Sequence, residues 1–529
     1  MEKLDADLRS IQEVRNLVQA AKAAQAEYGQ FSQEKIDAVV QAVAEACAAE
    51  AAPLARKACE ETGFGNAEDK RLKNLLGSVM TYEYIRGMKT VGFLREDPGA
   101  GIWEIGVPMG VVAAIIPSTN PTSTVMYKAL ISLKSGNGVV FSPHPGAKRC
   151  ILDTVAIVQK AARRAGAPEG LIGVISEPTL EASQTLMKHR DVAIILATGG
   201  EAMVRAAYSS GNPALGVGPG NGPSYIEKSA DVPKAVKRIF DSKTFDNGTI
   251  CASEQSIVTE SCIRDRVMEE VKRQGGYFLN PEESQKVSAF LLRANGTMNP
   301  KIVGKTAEAI ASMAGIRIPE GTRVLLSEQT EVSKANPYSR EKLCPVLGFY
   351  VEPDWQHACE KCIAILRNEG VGHTMTIHSE DRAIIREFAL KKPVNRLLVN
   401  TPGALGGVGV TTKLPPALTL GCGAVGKSAT SDNVGPMNLI NIRRVAFGAV
   451  ELDEVRAANG GAPSCAPAVH VPEPSGVRAA DRYQVSASDR LAAKYSRSAS
   501  PAPEPARSGM LTKDQVAAIT QAVLNRLGN

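Results

Sequence analysis

The stretch Val111-Val-Ala-Ala-Ile-Ile-Pro-Ser-Thr-Asn-Pro121 combines a strand pattern, a turn and the start of a helix. Its apolar residues 111–116 predict a buried strand, because a short apolar run bounded by turn residues is typical of a strand covered on both faces. The turn ends at Asn120, a favoured helix cap, and Pro121 is a favoured first helical residue. We therefore expect a strand that leads directly into a helix, which runs towards Lys134.

The same alternation of strand and helix continues along the chain. Apolar runs followed by helical patterns recur at residues 139–141, 171–176 and 192–196. Such alternation is typical of a parallel sheet of the doubly wound α/β type. A second alternating region, from about residue 250 to 420, predicts a second α/β domain, and the Ala-rich residues 1–60 have helical periodicity.

The bulk composition is that of an ordinary globular protein and excludes several functional classes. The chain has 529 residues, of which 44% are hydrophobic and 22% are charged, so several domains are expected. The net charge of +6 is small, and no Lys/Arg block with interleaved aromatic residues indicates nucleic-acid binding. The apolar runs are too short to span a bilayer and the N-terminus lacks a signal core, so we expect a soluble, cytoplasmic protein without membrane contact.

The ten cysteines and six histidines do not have the spacing of metal ligands. The cysteines also lack the rhythm of a disulfide framework, so they are expected to be reduced. Cys359 and Cys362 form a CxxC pair within a helical pattern, and no second CxxC or His pair accompanies them. We predict that this pair is structural and that the protein binds no metal.

Cys251 lies in Phe245-Asp-Asn-Gly-Thr-Ile-Cys-Ala-Ser-Glu254, a polar, Gly-containing turn that opens into a more apolar run. A thiol beside a backbone that can bend and beside free N–H groups meets the conditions for a nucleophilic cysteine. A buried structural thiol is the other interpretation, because free cysteines are usually buried. This segment alone favours neither interpretation.

The C-terminal part of the chain has a different character. Residues 457–509 are rich in Ala, Pro, Ser and Gly and predict a flexible linker, because this composition cannot bury a core. Residues 510–529 then place five apolar side chains on one face of a short amphipathic helix: Val516, Ile519, Val523, Leu524 and Leu527. Such a helix on a long tether is best explained as a docking surface for a partner, and folding back onto its own domain is the alternative.

Several further segments are weak signals alone and informative as an ordered set. They are Ile115-Ile-Pro-Ser-Thr-Asn-Pro-Thr122, Phe141-Ser-Pro-His-Pro145, Ala197-Thr-Gly-Gly200, Gly218-Pro-Gly-Asn-Gly-Pro223, Asn247-Gly-Thr-Ile-Cys251, Glu341-Lys-Leu-Cys-Pro-Val346 and Asn400-Thr-Pro-Gly403. With these motifs the chain resembles the aldehyde dehydrogenase superfamily, and specifically its coenzyme-A-acylating branch, over roughly residues 25–450.

This resemblance implies a three-part α/β fold. Residues 1–243 would contain N-terminal helices and a Rossmann-like NAD-binding domain, and residues 244–438 the α/β catalytic domain. A β arm near residues 91–107 and a late strand around residues 442–450, within the segment 439–456, would form the oligomerisation element. We therefore expect a homo-oligomer, either a dimer or a tetramer.

The resemblance also implies catalytic roles. Cys251 matches the nucleophile, whose thiolate attacks the aldehyde carbonyl and then carries the acyl group as a thioester. Asn120 matches the side-chain amide that forms the oxyanion hole together with the Cys251 backbone N–H, and the alternative is that its side chain only caps the helix. His373 matches a histidine that helps to deprotonate an incoming thiol, and a buried structural histidine is the alternative.

For the cofactor the resemblance implies NAD, which accepts the hydride. The stretch that lines the adenosine ribose and the turn beside the pyrophosphate match five residues: Ser142, Pro143, His144, Gly199 and Gly200. Glu341 matches the carboxylate that holds the nicotinamide ribose. Without the resemblance, Glu341 would be interpreted as a solvated surface residue.

The segment Val217-Gly-Pro-Gly-Asn-Gly222 matches the motif in which hydrolytic aldehyde dehydrogenases carry the glutamate that activates water. It contains no carboxylate. Water is a poor nucleophile without a base, whereas a thiol with a pKa of about 8.5 is already a few per cent thiolate near neutral pH. This absence favours transfer of the acyl group to coenzyme A over hydrolysis.

Together these features predict an NAD-dependent enzyme that oxidises a short aldehyde, propionaldehyde or acetaldehyde, to its acyl-CoA. The resemblance implies that residues 510–529 are an encapsulation peptide that binds the shell proteins of a bacterial microcompartment. The alternatives are a hydrolytic enzyme that gives the free acid, a catalytically inactive shell-associated scaffold, and the aldehyde half of a bifunctional aldehyde–alcohol enzyme. We expect the chain to be too short for an added alcohol dehydrogenase domain.

Overall fold

The computed structural model describes residues 5–460 of the chain. The chain divides into two compact units, Met1–Ala446 and Phe447–Asn529, and the described part of the second unit contains one helix, Leu452–Ala458. The predicted linker beyond residue 460 and the predicted terminal helix lie outside the described residues.

The α-helices of the first unit are labelled α1 to α16 in chain order. They span Ala6–Tyr28, Gln33–Ala49, Ala51–Thr62, Ala67–Leu75, Thr81–Ile85, Pro121–Lys134, Lys148–Arg164, Leu180–Lys188, Glu201–Tyr208, Val232–Thr244, Arg264–Arg273, Pro281–Leu291, Ala307–Met313, Trp355–Asn368, Arg382–Lys391 and Gly403–Gly407. Helices α1 to α3 form the predicted helical N-terminus, and α6 starts at Pro121 as predicted. Over the described range, no single helix is long and apolar enough to cross a membrane, although the bent pair of α2 and α3 passes that test by length and composition.

The strands are labelled β1 to β15 in chain order. They span Gly92–Asp97, Ile102–Pro108, Val111–Ile115, Gly138–Ser142, Ile172–Val174, Val192–Thr198, Ala214–Val217, Gly222–Ile226, Glu254–Glu260, Gly276–Phe278, Val324–Glu328, Val346–Glu352, Gly372–His378, Val394–Val399 and Ile440–Ala446. They form three sheets, with the strand orders β5-β4-β3-β6-β7, β10-β11-β12-β9-β8-β13-β14 and β1-β2-β15.

The five-stranded sheet is parallel and confirms the doubly wound α/β prediction. Its central strand β3 pairs with β4 and β6, so that Val112 lies beside Val139 and Ile194. Every residue of β3 is buried, and side chains of α1 and α8 belong to the same core cluster. The continuous apolar run of this strand therefore reflects burial on both faces, as in other parallel sheets.

The seven-stranded sheet is also parallel, and its strands begin earlier in the chain than the predicted catalytic domain. Strand β8 belongs to this sheet, because its Tyr225 pairs with Val258 of β9 and Ile377 of β13. The chain therefore leaves the first sheet after Val217 and enters the second at Gly222. The division into domains at residue 243 stays a prediction.

The three-stranded sheet is antiparallel and joins the segments predicted to form the β arm. Strand β2 lies in the middle, so that Gly106 faces Gly92 on one side and Ile442 on the other. Strand β15 ends at Ala446, earlier than the predicted end at residue 450. An oligomeric role for this sheet stays a prediction.

Candidate active site

The loops that follow β3 and β6 meet at the carboxyl edge of the five-stranded sheet. Strands β3 and β6 are neighbours in the sheet. From β3 the chain first passes to β4 and β5 on one side of it, and only then to β6 and β7 on the other side. Such a reversal opens a crevice at the carboxyl ends of the strands, where ligands bind in open α/β sheets. Asn120 follows β3, and Gly199 and Gly200 follow β6, so these predicted site residues border one crevice.

The residues predicted to line the NAD site lie along the same edge. Ser142 is buried at the end of β4, where its hydroxyl hydrogen-bonds Ser183, and the next residue but one, His144, is exposed. Gly200 is the residue before helix α9, and a Cβ added to it would have no atom within 4 Å. A glycine turn with free space at a helix start fits a pyrophosphate, and Pro143, buried beside His144, completes the matched stretch.

The catalytic candidates lie at the amino ends of strands in the seven-stranded sheet. Cys251 precedes β9, Glu341 precedes β12, and His373 is near the start of β13. Asn120 reaches this edge from the other sheet, because its Nδ2 donates to the carbonyl oxygen of Thr249 at 3.2 Å. The structure thus brings the predicted oxyanion amide to the turn that carries the predicted nucleophile.

Asn120 occupies the cap position of α6, as predicted, but its side chain does not cap the helix. Only its backbone oxygen contacts the first turn, where it accepts a hydrogen bond from the Thr124 amide at 3.1 Å. The side-chain oxygen instead accepts from Lys73 Nζ at 2.7 Å. The interpretation in which the side chain only caps the helix is therefore wrong.

The turn before Cys251 has an unusual backbone. Asp246 and Asn247 both have positive φ, 47° and 52°, and Gly248 follows with 79°. A non-glycine residue in this region costs on the order of 1–3 kcal/mol, so such a turn persists only when its surroundings hold it. Here the buried Asp246 carboxylate accepts hydrogen bonds from Lys70 Nζ at 2.9 Å and from Lys73 Nζ at 2.5 Å.

The Cys251 thiol is half-buried and protonated at neutral pH in this arrangement. Burial, and next the negative charge of Glu341, raise the pKa of the thiol to about 12, while the guanidinium of Arg396 acts to lower it. Removing the thiol from water disfavours the thiolate, and a neighbouring carboxylate does so too. The resting site therefore holds a thiol whose ionisation depends on the charges around it.

Glu341 is part of the site and not a solvated surface residue. Its Oε1 accepts a hydrogen bond from the Gly220 amide at 2.9 Å, and burial raises the pKa of this carboxyl to about 8. Gly220 itself packs on the nucleophile, because a Cβ there would lie 1.8 Å from the carbonyl oxygen of Cys251. The segment 217–222 carries no carboxylate of its own, but Glu341 places one beside it.

His373 is fully buried and does not contact Cys251 through a hydrogen bond among the described residues. Its Nδ1 shares a hydrogen bond with Thr374 Oγ1 at 2.9 Å, and its Nε2 has no partner within that part of the chain. Burial, and next the charge of Arg396, lower the pKa of the imidazole to about 3. The ring is therefore neutral, and its link to the other candidates runs through Thr374 and Arg396.

Arg396 is a site residue that the sequence did not reveal. Its Nε donates to Thr374 Oγ1 at 3.2 Å and its Nη2 donates to the Gly421 carbonyl oxygen at 2.5 Å, and its charge acts on Cys251. An arginine inside the apolar strand run Val394-Asn-Arg-Leu-Leu-Val399 is a signal that could have found it. Lys73 has no comparable signal, because the sequence of the charged helix α4 predicts that its lysines are exposed to solvent.

The CxxC pair, which the sequence predicts to be structural, is buried. Cys359 and Cys362 are free thiols in the core cluster that helix α14 forms with the second sheet. Between residues 5 and 460, no group of three or more His, Cys, Asp or Glu side chains is arranged to hold a metal ion.

Known proteins share this sequence and fold. The model of the aldehyde dehydrogenase family matches residues 5–339. The bifunctional aldehyde-alcohol dehydrogenase AdhE of Escherichia coli is 45% identical over 442 residues, which are 83% of this chain and 50% of the relative. The chain thus spans about half the length of the curated bifunctional relatives that it matches.

Solved structures extend the comparison over most of the described residues. The acetylating aldehyde dehydrogenase of Geobacillus thermoglucosidasius has a TM-score of 0.84 and 52% identity, over 85% of this chain and 99% of that one. Two propionaldehyde dehydrogenases have a TM-score of 0.76 and 28% identity, and each match covers 82% of this chain. One is from the fucose utilisation microcompartment of Clostridium phytofermentans, and the other, from Rhodopseudomonas palustris, has bound CoA and an acylated cysteine. Each match covers 97% of the length of the solved chain. The family match and the shared fold agree: this chain belongs to the aldehyde dehydrogenase family, whose members are oxidoreductases that act on aldehydes.

Proposed function

We propose that this protein oxidises a short-chain aldehyde, propionaldehyde or acetaldehyde, to its acyl-CoA with NAD as the hydride acceptor. The observation that carries the proposal is the meeting of Asn120 with the Cys251 turn, beside a glycine loop that has no carboxylate of its own. The acetylating enzyme of Geobacillus thermoglucosidasius and the propionaldehyde dehydrogenase with bound CoA support the acylating reaction.

The residues of this chain have separate tasks in the reaction. After its thiol proton has passed to solvent, Cys251 attacks the aldehyde carbon as a thiolate, and the negative charge that develops on the oxygen is stabilised by Asn120 Nδ2 and the Cys251 N–H. A bound NAD would supply the acceptor for the hydride that leaves this carbon. Cys251 then holds the acyl group as a thioester until the thiol of coenzyme A displaces it, because the segment 217–222 supplies no base to activate water.

The nucleophile is tested by replacing Cys251 with Ala. We expect CoA-dependent NADH formation to be lost, while Cys262→Ala, which removes an exposed thiol, retains activity. NADH is followed by its absorbance with propionaldehyde and CoA. Full activity of the Cys251→Ala protein would refute the proposal.

The hydrolytic alternative is separated by omitting coenzyme A. We expect turnover to stop after the enzyme has been acylated, so that no more than one equivalent of NADH forms per site. Sustained NADH formation with release of the free acid would favour the hydrolytic enzyme. An inactive scaffold, in contrast, would show neither turnover nor NAD binding by calorimetry.

The preferred substrates need a direct comparison. An assay of C2 to C5 aldehydes with CoA and with NAD or NADP in turn would rank them. We expect the C2 and C3 aldehydes with NAD to give the highest kcat/KM. A preference for NADP would contradict the proposed cofactor, and a preference for the C5 aldehyde would contradict the proposed substrate.

We further propose that residues 510–529 direct the enzyme into a bacterial microcompartment. The support is the amphipathic pattern of this segment and the microcompartment origin of the propionaldehyde dehydrogenase of Clostridium phytofermentans. Deleting residues 510–529 should leave kcat intact but abolish co-purification with shell proteins. Equal shell association after the deletion would contradict the docking role.

A further inference from the structure

Lys73 joins three groups of the candidate site through the three protons of one ammonium. Its Nζ donates to Asn120 Oδ1 at 2.7 Å, to Asp246 Oδ2 at 2.5 Å and to Thr249 Oγ1 at 2.9 Å. A lysine ammonium has three donors and no acceptor, so all of its hydrogen-bonding capacity is used here. The lysine comes from helix α4, far from Asn120 and Asp246 in the sequence.

The Asn120 amide can face the Cys251 turn with either its oxygen or its NH2 group, and only the NH2 group can stabilise an oxyanion. The Lys73 ammonium accepts no hydrogen bond, so it fixes the amide oxygen on its own side and directs Nδ2 towards Thr249. A charged donor on the oxygen also polarises the amide and strengthens its N–H groups as donors.

Asp246 holds Lys73 in place through its buried carboxylate. Its carboxylate is fully buried and accepts from Lys73, from Thr249 Oγ1 at 2.7 Å and from the Asn66 amide at 2.9 Å. Gly65 makes this possible, because a Cβ there would lie 1.6 Å from Asp246 Oδ1. The same carboxylate therefore fixes the positive-φ turn before Cys251 and the lysine that orients Asn120.

We propose that Lys73 is a positioning residue for the oxidation of the aldehyde: supported by Asp246, it holds the Asn120 amide by its oxygen so that Nδ2 points into the oxyanion hole. This inference rests on the proposed function, in which Asn120 stabilises the oxyanion. Lys70 is a natural comparison, because its Nζ also binds Asp246 but contacts the Thr119 carbonyl oxygen instead of the Asn120 side chain.

A double-mutant cycle tests the proposal, with kcat of CoA-dependent NADH formation as the readout and NAD binding as the check of folding. Asn120→Ala should lower kcat by about 10²–10³-fold, as the removal of an oxyanion donor does elsewhere. Lys73→Met should lower kcat by roughly tenfold or more with little change in KM, but should have almost no further effect in the Asn120→Ala background. Lys70→Met should lower kcat several-fold less than Lys73→Met.

The outcomes separate the two hypotheses. If Asn120→Ala retains the normal kcat, Asn120 is not the oxyanion donor, and both the proposed function at this residue and the inference fail. If Asn120→Ala is impaired but Lys73→Met causes the same fold loss in both backgrounds, or if Lys70→Met is as damaging, only the positioning role is overturned. If Lys73→Met does not fold, Lys73→Gln, which keeps a neutral donor, takes its place in the cycle under the same criteria.

Discussion

At the scale of single residues, the charges around Cys251 determine how readily its thiol ionises. After burial, Glu341 is the group that most raises the pKa of this thiol, and Arg396 acts in the opposite direction. A thiolate, not a thiol, is the nucleophile, so a change in this balance changes reactivity. Glu341 and Arg396 are 55 positions apart in the sequence and act on the same sulfur.

Replacing Glu341 with Gln should lower the pKa of Cys251, because the amide keeps the size of the side chain without the negative charge that Glu341 carries above its own raised pKa of about 8. The rate of alkylation by iodoacetamide should therefore rise at lower pH than in the unmodified protein. The pH profile of inactivation between pH 7 and 10 checks this expectation. Glu328→Gln, at an exposed position, serves as the control, and an unchanged profile for Glu341→Gln would contradict the assigned coupling.

Glu254 is a buried carboxyl whose titration should affect stability. One oxygen accepts from the Gly403 amide at 2.7 Å, the other has no partner among the described residues, and burial raises its pKa from 4.5 to about 7. Between these two pH values the folded protein keeps a proton that the unfolded chain releases. Folding stability should thus fall as the pH rises through this window, by on the order of 3 kcal/mol.

Glu254→Gln should remove this pH dependence, because an amide does not titrate. At pH 5 the variant and the unmodified protein should have similar Tm values, and at pH 8 the variant should be the more stable of the two. Thermal unfolding at both pH values measures the difference. A Tm difference that is the same at pH 5 and pH 8 would show that Glu254 is not the titrating group.

At the scale of elements, the loop before β8 is built to lie against the nucleophile. Gly220→Ala would place a Cβ 1.8 Å from the Cys251 carbonyl oxygen, so the loop or the nucleophile must move. A displacement of about 1 Å in an active site costs roughly 10²-fold in rate, so we expect a loss of kcat of that size. NAD binding should be retained.

Gly218→Ala is the matched control in the same loop, because a Cβ there has no atom within 4 Å. It should retain most of the activity. Steady-state kinetics of both variants, with thermal unfolding as a check of folding, compare them directly. Equal losses would mean that the loop is sensitive in general and not through its contact with Cys251.

The elements also show what could be predicted from the sequence. The apolar run of β3 and the turn after it correctly placed Asn120 at a sheet edge, since both are local patterns. The sheet membership of β8 depends on its pairing with β9 and β13, which no local pattern encodes, so the sequence did not indicate where the chain passes from one sheet to the other. Lys73 and Asp246 were missed for the same reason, because their contact joins residues that are 173 positions apart.

At the scale of the whole molecule, the three-stranded arm carries a cluster of apolar side chains on one face. Register places Phe93, Trp103, Ile105 and Val445 on this face, together with the charged Glu96 and Arg443. Phe93 is 46% exposed although its ring contacts Trp103. The opposite face carries Ile442 as well as the ion pair of Arg444 with Glu104. A partly exposed apolar face on a small sheet is typical of a surface that another chain covers, so we expect a second copy of this chain to bind there.

Val445→Glu tests this assembly from the apolar face, and Ile442→Glu is the matched control from the opposite face of the same strand. The first substitution would bury a charge in the interface and should dissociate the oligomer into folded monomers at micromolar concentration, whereas the second should leave it intact. Sedimentation velocity gives the oligomeric state, and circular dichroism shows whether the monomers stay folded. Dissociation by both variants would place the contact on the strand edge, and dissociation by Ile442→Glu alone would move it to the face that carries Ile442.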